Sequence, residues 1–160
     1  MIDSALPLEK IVSGGQTGAD RAGLDWAIAN ALPHGGWCPQ GRRAEDGPIS
    51  AQYDLTETAE SRYHIRTRLN VQDSDGTVIF GLAPELTGGS ALTREFAEQL
   101  RKPWIHLSRS ATKDPAMALR RFLIEHTVHT LNVAGPRAST EFGIAEFTLQ
   151  ILDDALLAAG

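Results

Sequence analysis

Cysteine is almost missing from this chain: Cys38 stands alone among 160 residues. A single thiol excludes an intrachain disulfide and fits a reducing compartment. A basic excess is missing as well, with 15 Lys and Arg against 20 Asp and Glu and a net charge of -5. That balance argues against a nucleic-acid binder, which needs a positive face. No apolar run approaches the roughly 20 residues that span a bilayer. Met1 to Lys10 carries Asp3 and Glu9 and lacks the apolar stretch of a secretory signal. The expectation is a cytoplasmic protein with no nucleic-acid or membrane partner. Familiar catalytic signatures are lacking too. The histidines, His34, His64, His106, His126 and His129, show no metal-ligand spacing, so no metal site is expected. There is no G-x-S-x-G elbow.

What is present is ordinary globular material, 42% apolar and 22% charged, at a length that suits one domain over 1–160. Strand-like and helix-like stretches alternate. Ile11-Val12 opens a strand, and a helix follows from Gly18 through Leu24, Ala27, Ile28 and Ala31. Trp37-Cys38 reads as a second strand, and Gly76 to Gly81 as a buried one. Ser90 is placed to cap a helix through Leu92, Phe96 and Leu100, and Trp104 to Leu107 reads as the next strand. Asp114-Pro115 starts another helix. His129 to Ala134 makes a last strand before a helix bearing Ile144, Phe147, Ile151 and Ala155. This alternation predicts an α/β fold: a single Rossmann-like domain, a parallel sheet with helices on both faces. Pro39 to Gln72 breaks the rhythm. It holds five arginines and is either functional or contains short helices the pattern does not place.

Two turns carry the strongest chemical signal. GGQTGAD, Gly14 to Asp20, lies between a strand and a helix, where glycines admit a ligand to the backbone and helix N–H groups face an anion. Ser13-x-Gly15-x-x-Gly18 approaches the dinucleotide fingerprint, yet no acid stands near residue 40, where Cys38-Pro39-Gln40-Gly41 occurs. TGGSALT, Thr87 to Thr93, repeats the glycine-rich helix start, and Gly135-Pro136-Arg137 forms a third turn. Turns at the carboxyl ends of one parallel sheet converge on one crevice. Arg42, Arg43, Arg62, Arg66 and Arg68 cluster in the irregular segment, and a guanidinium fork suits a phosphate or oxyanion. The competing view is a solvated loop whose arginines pair with Glu45, Asp46, Asp54, Glu57 and Glu60. Asp20, Asp46, Asp75 and Glu95 could act as acids or bases, though an acid at a helix start is usually a cap or dipole partner.

Five blocks carry a family resemblance: Gly14 to Ala27, Gly36 to Gly47, Arg66 to Phe80, Leu86 to Thr93 and Leu131 to Arg137. Together they are similar to the family named putative molybdenum carrier, a Rossmann-like group related to the lysine-decarboxylase-like phosphoribohydrolases. The resemblance implies a homo-oligomeric carrier, dimer or tetramer, that stores and protects molybdenum cofactor (molybdopterin) as cargo, or binds molybdate. It also implies molybdoenzymes as acceptors. Residue by residue it points to Gly14, Gly15, Gln16, Thr17 and Gly18 in the first turn. In the second it points to Gly88, Gly89 and Ser90, with further ligand contacts at Arg42, Asp46 and Arg66. The related hydrolases carry P-G-G-x-G-T-x-x-E. Here Thr87 to Glu95 keeps the glycine pair and Glu95 but has Ala91 and Leu92 where Gly and Thr stand. The rival functions are therefore a nucleoside-monophosphate phosphoribohydrolase using Glu95, or a sensor of a nucleotide-derived ligand. The last helix is expected to offer apolar surface for self-association.

Overall fold

The computed structural model describes residues 1–159. Five parallel strands form the central sheet: β1 (Lys10–Val12), β2 (His34–Gly35), β7 (Gly76–Gly81), β8 (Trp104–Ser108) and β9 (Thr130–Ala134), in the order β2-β1-β9-β7-β8. Helices α1 (Ala19–Ala29), α4 (Pro115–Glu125) and α5 (Ile144–Leu156) pack together, and α2 (Tyr63–Gln72) pairs with α3 (Gly88–Gln99). The architecture is the α/β, Rossmann-like one that the alternation predicts. β7 is buried at all six positions, as a strand covered on both faces must be. The main core gathers Ile11, Val78, Phe80, Leu107, Leu131 and Leu152 around that sheet.

Strand order carries a further message. Reading the β9–α5 unit as if it preceded β1 turns the sheet into order 3-2-1-4-5, the doubly wound arrangement. The chain thus has that layout with its first unit moved to the end. The reversal of strand order falls between β9 and β7, and ligands of such sheets bind outside the carboxyl ends of the strands at that point.

Local expectations hold in some places and shift in others. Asp114 caps α4, accepting the Met117 N–H at 3.1 Å ahead of Pro115. Helix α3 begins two residues before Ser90. Thr87 is its N-cap without a side-chain bond, and the Thr87 carbonyl accepts the Ser90 N–H at 3.1 Å. Trp37–Cys38 is a strand, β3, but outside the main sheet: it pairs with β6 (Thr56–Glu57), while His34–Gly35 takes the place beside β1. Gly36 makes that exit, with φ +128 and no room for a Cβ, which would sit 2.2 Å from the Ser13 carbonyl oxygen. The irregular segment also holds a hairpin of β4 (Arg43–Ala44) and β5 (Gly47–Pro48). It folds over a small core of its own, with Cys38, Ile49, Tyr53 and Leu55 against Leu24. Burial raises the Cys38 thiol pKa, which suits a packing role. The apolar face of α5 is spent inside the chain, through Ile144, Ile151, Leu152, Ala155 and Leu156. Phe142, just before it, is 97% exposed.

Candidate functional site

The three glycine turns meet. In the first, the Ser13 hydroxyl donates to the Asp20 carbonyl at 2.8 Å and accepts the Gly15 N–H at 3.2 Å, closing the loop ahead of α1. Gly18 has φ +87, and a Cβ there would lie 2.4 Å from the Pro136 carbonyl oxygen. The first and third turns therefore lie backbone against backbone. A cavity of about 230 Å³ opens where these turns face the start of α3, at the carboxyl ends of β9 and β7.

Of the residues expected at the site, Gly14, Gln16, Arg66, Gly88, Gly89 and Ser90 line this cavity. Gly14 makes room for a guanidinium, because a Cβ there would fall 1.5 Å from Arg66 Nη1. Arg66 donates from Nη1 to Asp20 at 2.8 Å; the Asp20 side chain is buried and that of Arg66 is 12% exposed. Burial pushes the Asp20 carboxyl pKa up, and the Arg66 charge opposes that rise. Gln16 Oε1 accepts N–H bonds from Thr17 at 3.0 Å and Glu45 at 2.9 Å. Two donors on one oxygen settle the amide's orientation, so the nitrogen is the free atom. Gln16 Nε2 and Arg66 Nε are buried without a partner, and so is Nε2 of His106, which also lines the cavity. Leaving such polar atoms unpaired costs about 1–3 kcal/mol each. Three around one cavity form a cradle for a polar ligand. The Gly88 and Gly89 N–H groups have no backbone partner, and a Cβ on either would meet nothing within 4 Å.

Gly15, Thr17, Gly18, Arg42 and Asp46 stand outside the cavity lining. Gly15 has φ +77 and faces Leu55, whose Cδ1 would be 2.6 Å from a Cβ. Thr17 donates its hydroxyl to Glu45 and accepts the Ala138 N–H at 3.2 Å. Arg42 spends its guanidinium on the carbonyls of Ile49, Ser50, Tyr53 and Leu55, at 2.8–3.4 Å. Asp46 pairs with Arg21 at 2.5 Å, which lowers its pKa. Arg42 and Asp46 thereby hold the irregular segment to its own core and to α1. Glu95 is exposed on α3 and is not among the lining residues.

Sequence reasoning missed Tyr63, His106 and Glu141, which also line the cavity. Tyr63 sits beneath three guanidiniums, those of Arg137, Arg66 and Arg43, at 5.1, 5.6 and 5.8 Å from its ring centre. The opening of a helix in a polar segment was the only available signal for it. His106 and Glu141 had none. Among the described residues no cluster of His, Cys, Asp and Glu could hold a metal ion. Among the same residues no helix is long and apolar enough to cross a membrane.

The model of the circularly permutated YpsA SLOG family matches residues 11–156. A crystal structure from Syntrophus aciditrophicus SB, named putative molybdenum carrier protein, is 44% identical. It superposes with a TM-score of 0.92 over 95% of this chain and 97% of that one. No curated protein matches the chain.

Proposed function

The chain belongs to the circularly permutated YpsA SLOG family, and from that premise we propose that it binds and carries a small ligand ending in a phosphate or oxyanion, with molybdenum cofactor as the cargo. The observation that carries the reading is the convergence of three glycine turns on one cavity at the switch point of the sheet, lined by buried polar atoms that lack partners. The α3 start offers free N–H groups and the positive end of a helix dipole to an anion. Arg137 extends from the third turn, and Arg66 presents Nε. The name of the Syntrophus protein supports molybdenum-related cargo. A cavity of about 230 Å³ is smaller than the roughly 300–1,000 Å³ that encloses a drug-sized ligand, so part of the cofactor stays outside it. A cytoplasmic homo-oligomer that hands its cargo to molybdoenzymes completes the proposal.

Phosphoribohydrolase activity has less support, since the carboxylate it would need, Glu95, is exposed and off the cavity. The decisive experiment is elemental and pterin analysis of the protein purified anaerobically, followed by titration with molybdenum cofactor and with AMP. Stoichiometric molybdenum and pterin with no free base released from AMP is expected. Turnover of AMP, or purified protein that neither carries nor binds pterin, refutes the carrier reading.

A further inference from the structure

At the carboxyl end of β7 the cavity has lining groups that the phosphate reading leaves unused. Glu141 reaches back there from the β9–α5 loop, and its Oε1 accepts the Leu82 N–H at 2.6 Å. A carboxylate has about four lone-pair sites. One is taken here, which leaves Oε2 and part of Oε1 free on a side chain that lines the cavity. The ion pairs found among the described residues all involve other carboxylates. His106 on β8 stands nearby, with Nε2 buried and unpartnered. Gly81 leaves that ring edge open, since a Cβ there would lie 3.0 Å from His106 Nε2. Burial lowers the His106 pKa against the pull of Glu141, so the imidazole is neutral at pH 7. Phe80, Leu86 and Leu92 give the same cavity apolar wall.

A carboxylate with free lone pairs in a partly apolar cavity, with an unpartnered imidazole nitrogen nearby, suits an aromatic ring that presents neighbouring N–H donors. Adenine does not qualify: beside its amino group lies a ring nitrogen lone pair, which would face carboxylate oxygen and be repelled. A 2-amino-4-oxopyrimidine ring does qualify, with its amino group next to a ring N–H. We propose that this part of the cavity is a recognition subsite for that ring, the edge shared by guanine and the pterins, read by the Glu141 carboxylate with His106 nearby. The inference rests on the cavity being a site for a phosphorylated small ligand, and it names another part of that ligand.

The test is calorimetric titration of the full chain with GMP, IMP, AMP and neopterin monophosphate. IMP keeps the ring N–H but lacks the amino group. GMP, neopterin monophosphate or both should bind at least about tenfold more tightly than IMP and AMP, because a site built to hydrogen-bond a group rejects the analogue lacking it. Preference for one of the two identifies the ring system. Glu141→Gln keeps a carbonyl oxygen for Leu82 but removes the carboxylate, so it should abolish the preference for GMP or neopterin monophosphate over IMP and AMP. Equal binding of all four ligands overturns the subsite and leaves the phosphate reading standing. Retained preference in Glu141→Gln overturns the role of Glu141. Failure of all four to bind overturns the subsite, and the titration with molybdenum cofactor decides the carrier reading separately.

Discussion

Placing a carboxylate at the start of α3 should strengthen the protein and weaken its ligand binding at once. Gly89 lies in the first turn of α3, has no acid near it in that turn, and has open space where a Cβ would go. Gly89→Asp removes a helix glycine and puts a negative charge at the positive end of the dipole. The two effects together should stabilise by about 0.5–1 kcal/mol. That corresponds to roughly 1–4 °C in Tm for a chain of this size. A bound anion about 5 Å from the new carboxylate would be repelled by about 3 kcal/mol at an effective dielectric of 20. Affinity should then fall about a hundredfold. Gly89→Ala keeps the N–H and adds only a methyl group in free space, so it should bind as the parent does. Thermal melting and anaerobic titration with molybdenum cofactor measure the two sides separately. A folded Gly89→Asp protein that binds the cofactor as tightly as the parent refutes the placing of the anion at this helix start. Gly15 is unsuited to the same test, because its φ of +77 strains any side chain placed there, whatever the ligand does.

Arg66→Lys keeps a charge but loses the fork that serves both Asp20 and the cavity, so affinity should drop about tenfold, by one charge-assisted bond. Arg62→Ala, which removes an exposed pair with Glu60, should leave affinity unchanged, and an equal loss in both would reduce the arginines to a diffuse field. Arg42→Ala should cost about 2–4 kcal/mol of stability in urea melts, since four loop carbonyls lose a cationic donor. Cofactor binding should persist below its melting point, and a binding loss without a stability loss would contradict this. The His106 pKa is depressed by burial, so its contribution to stability is present above the unfolded value near 6.5 and is lost as pH falls through the folded value. Tm against pH should therefore decline less on the acid side in His106→Asn than in the parent, and parallel curves would count against a buried neutral imidazole.

Much of this protein is legible in one dimension. The β7 run, the Asp114-Pro115 helix start and the strand–glycine–helix sequence at Gly14 depend on residues a few positions apart, whose propensities and turn geometry act locally. Those local signals suffice for an α/β chain with glycine turns facing a crevice. Helix α2 escapes the same reading because only Asn70 and Val71 of its ten residues are buried, which leaves no apolar period to detect. Strand β2 escapes because two residues next to a glycine carry no pattern, and the pairing of His34–Gly35 with β1 is settled by the close approach of Gly36 to Ser13. The two arginines chosen from the motif blocks look alike in sequence and have different tasks. Arg42 is bent back onto its own loop, whereas Arg66 projects from a helix through the space Gly14 leaves empty. Glu141 and His106 are 35 positions apart and meet only because β9 inserts between β1 and β7, bringing the last loop beside the end of β7. Sequence by itself determined the elements and the turns, because those are set by neighbours along the chain. Which charges face the cavity was decided by strand order and by the room that individual glycines leave, and both exist only once distant segments pack together.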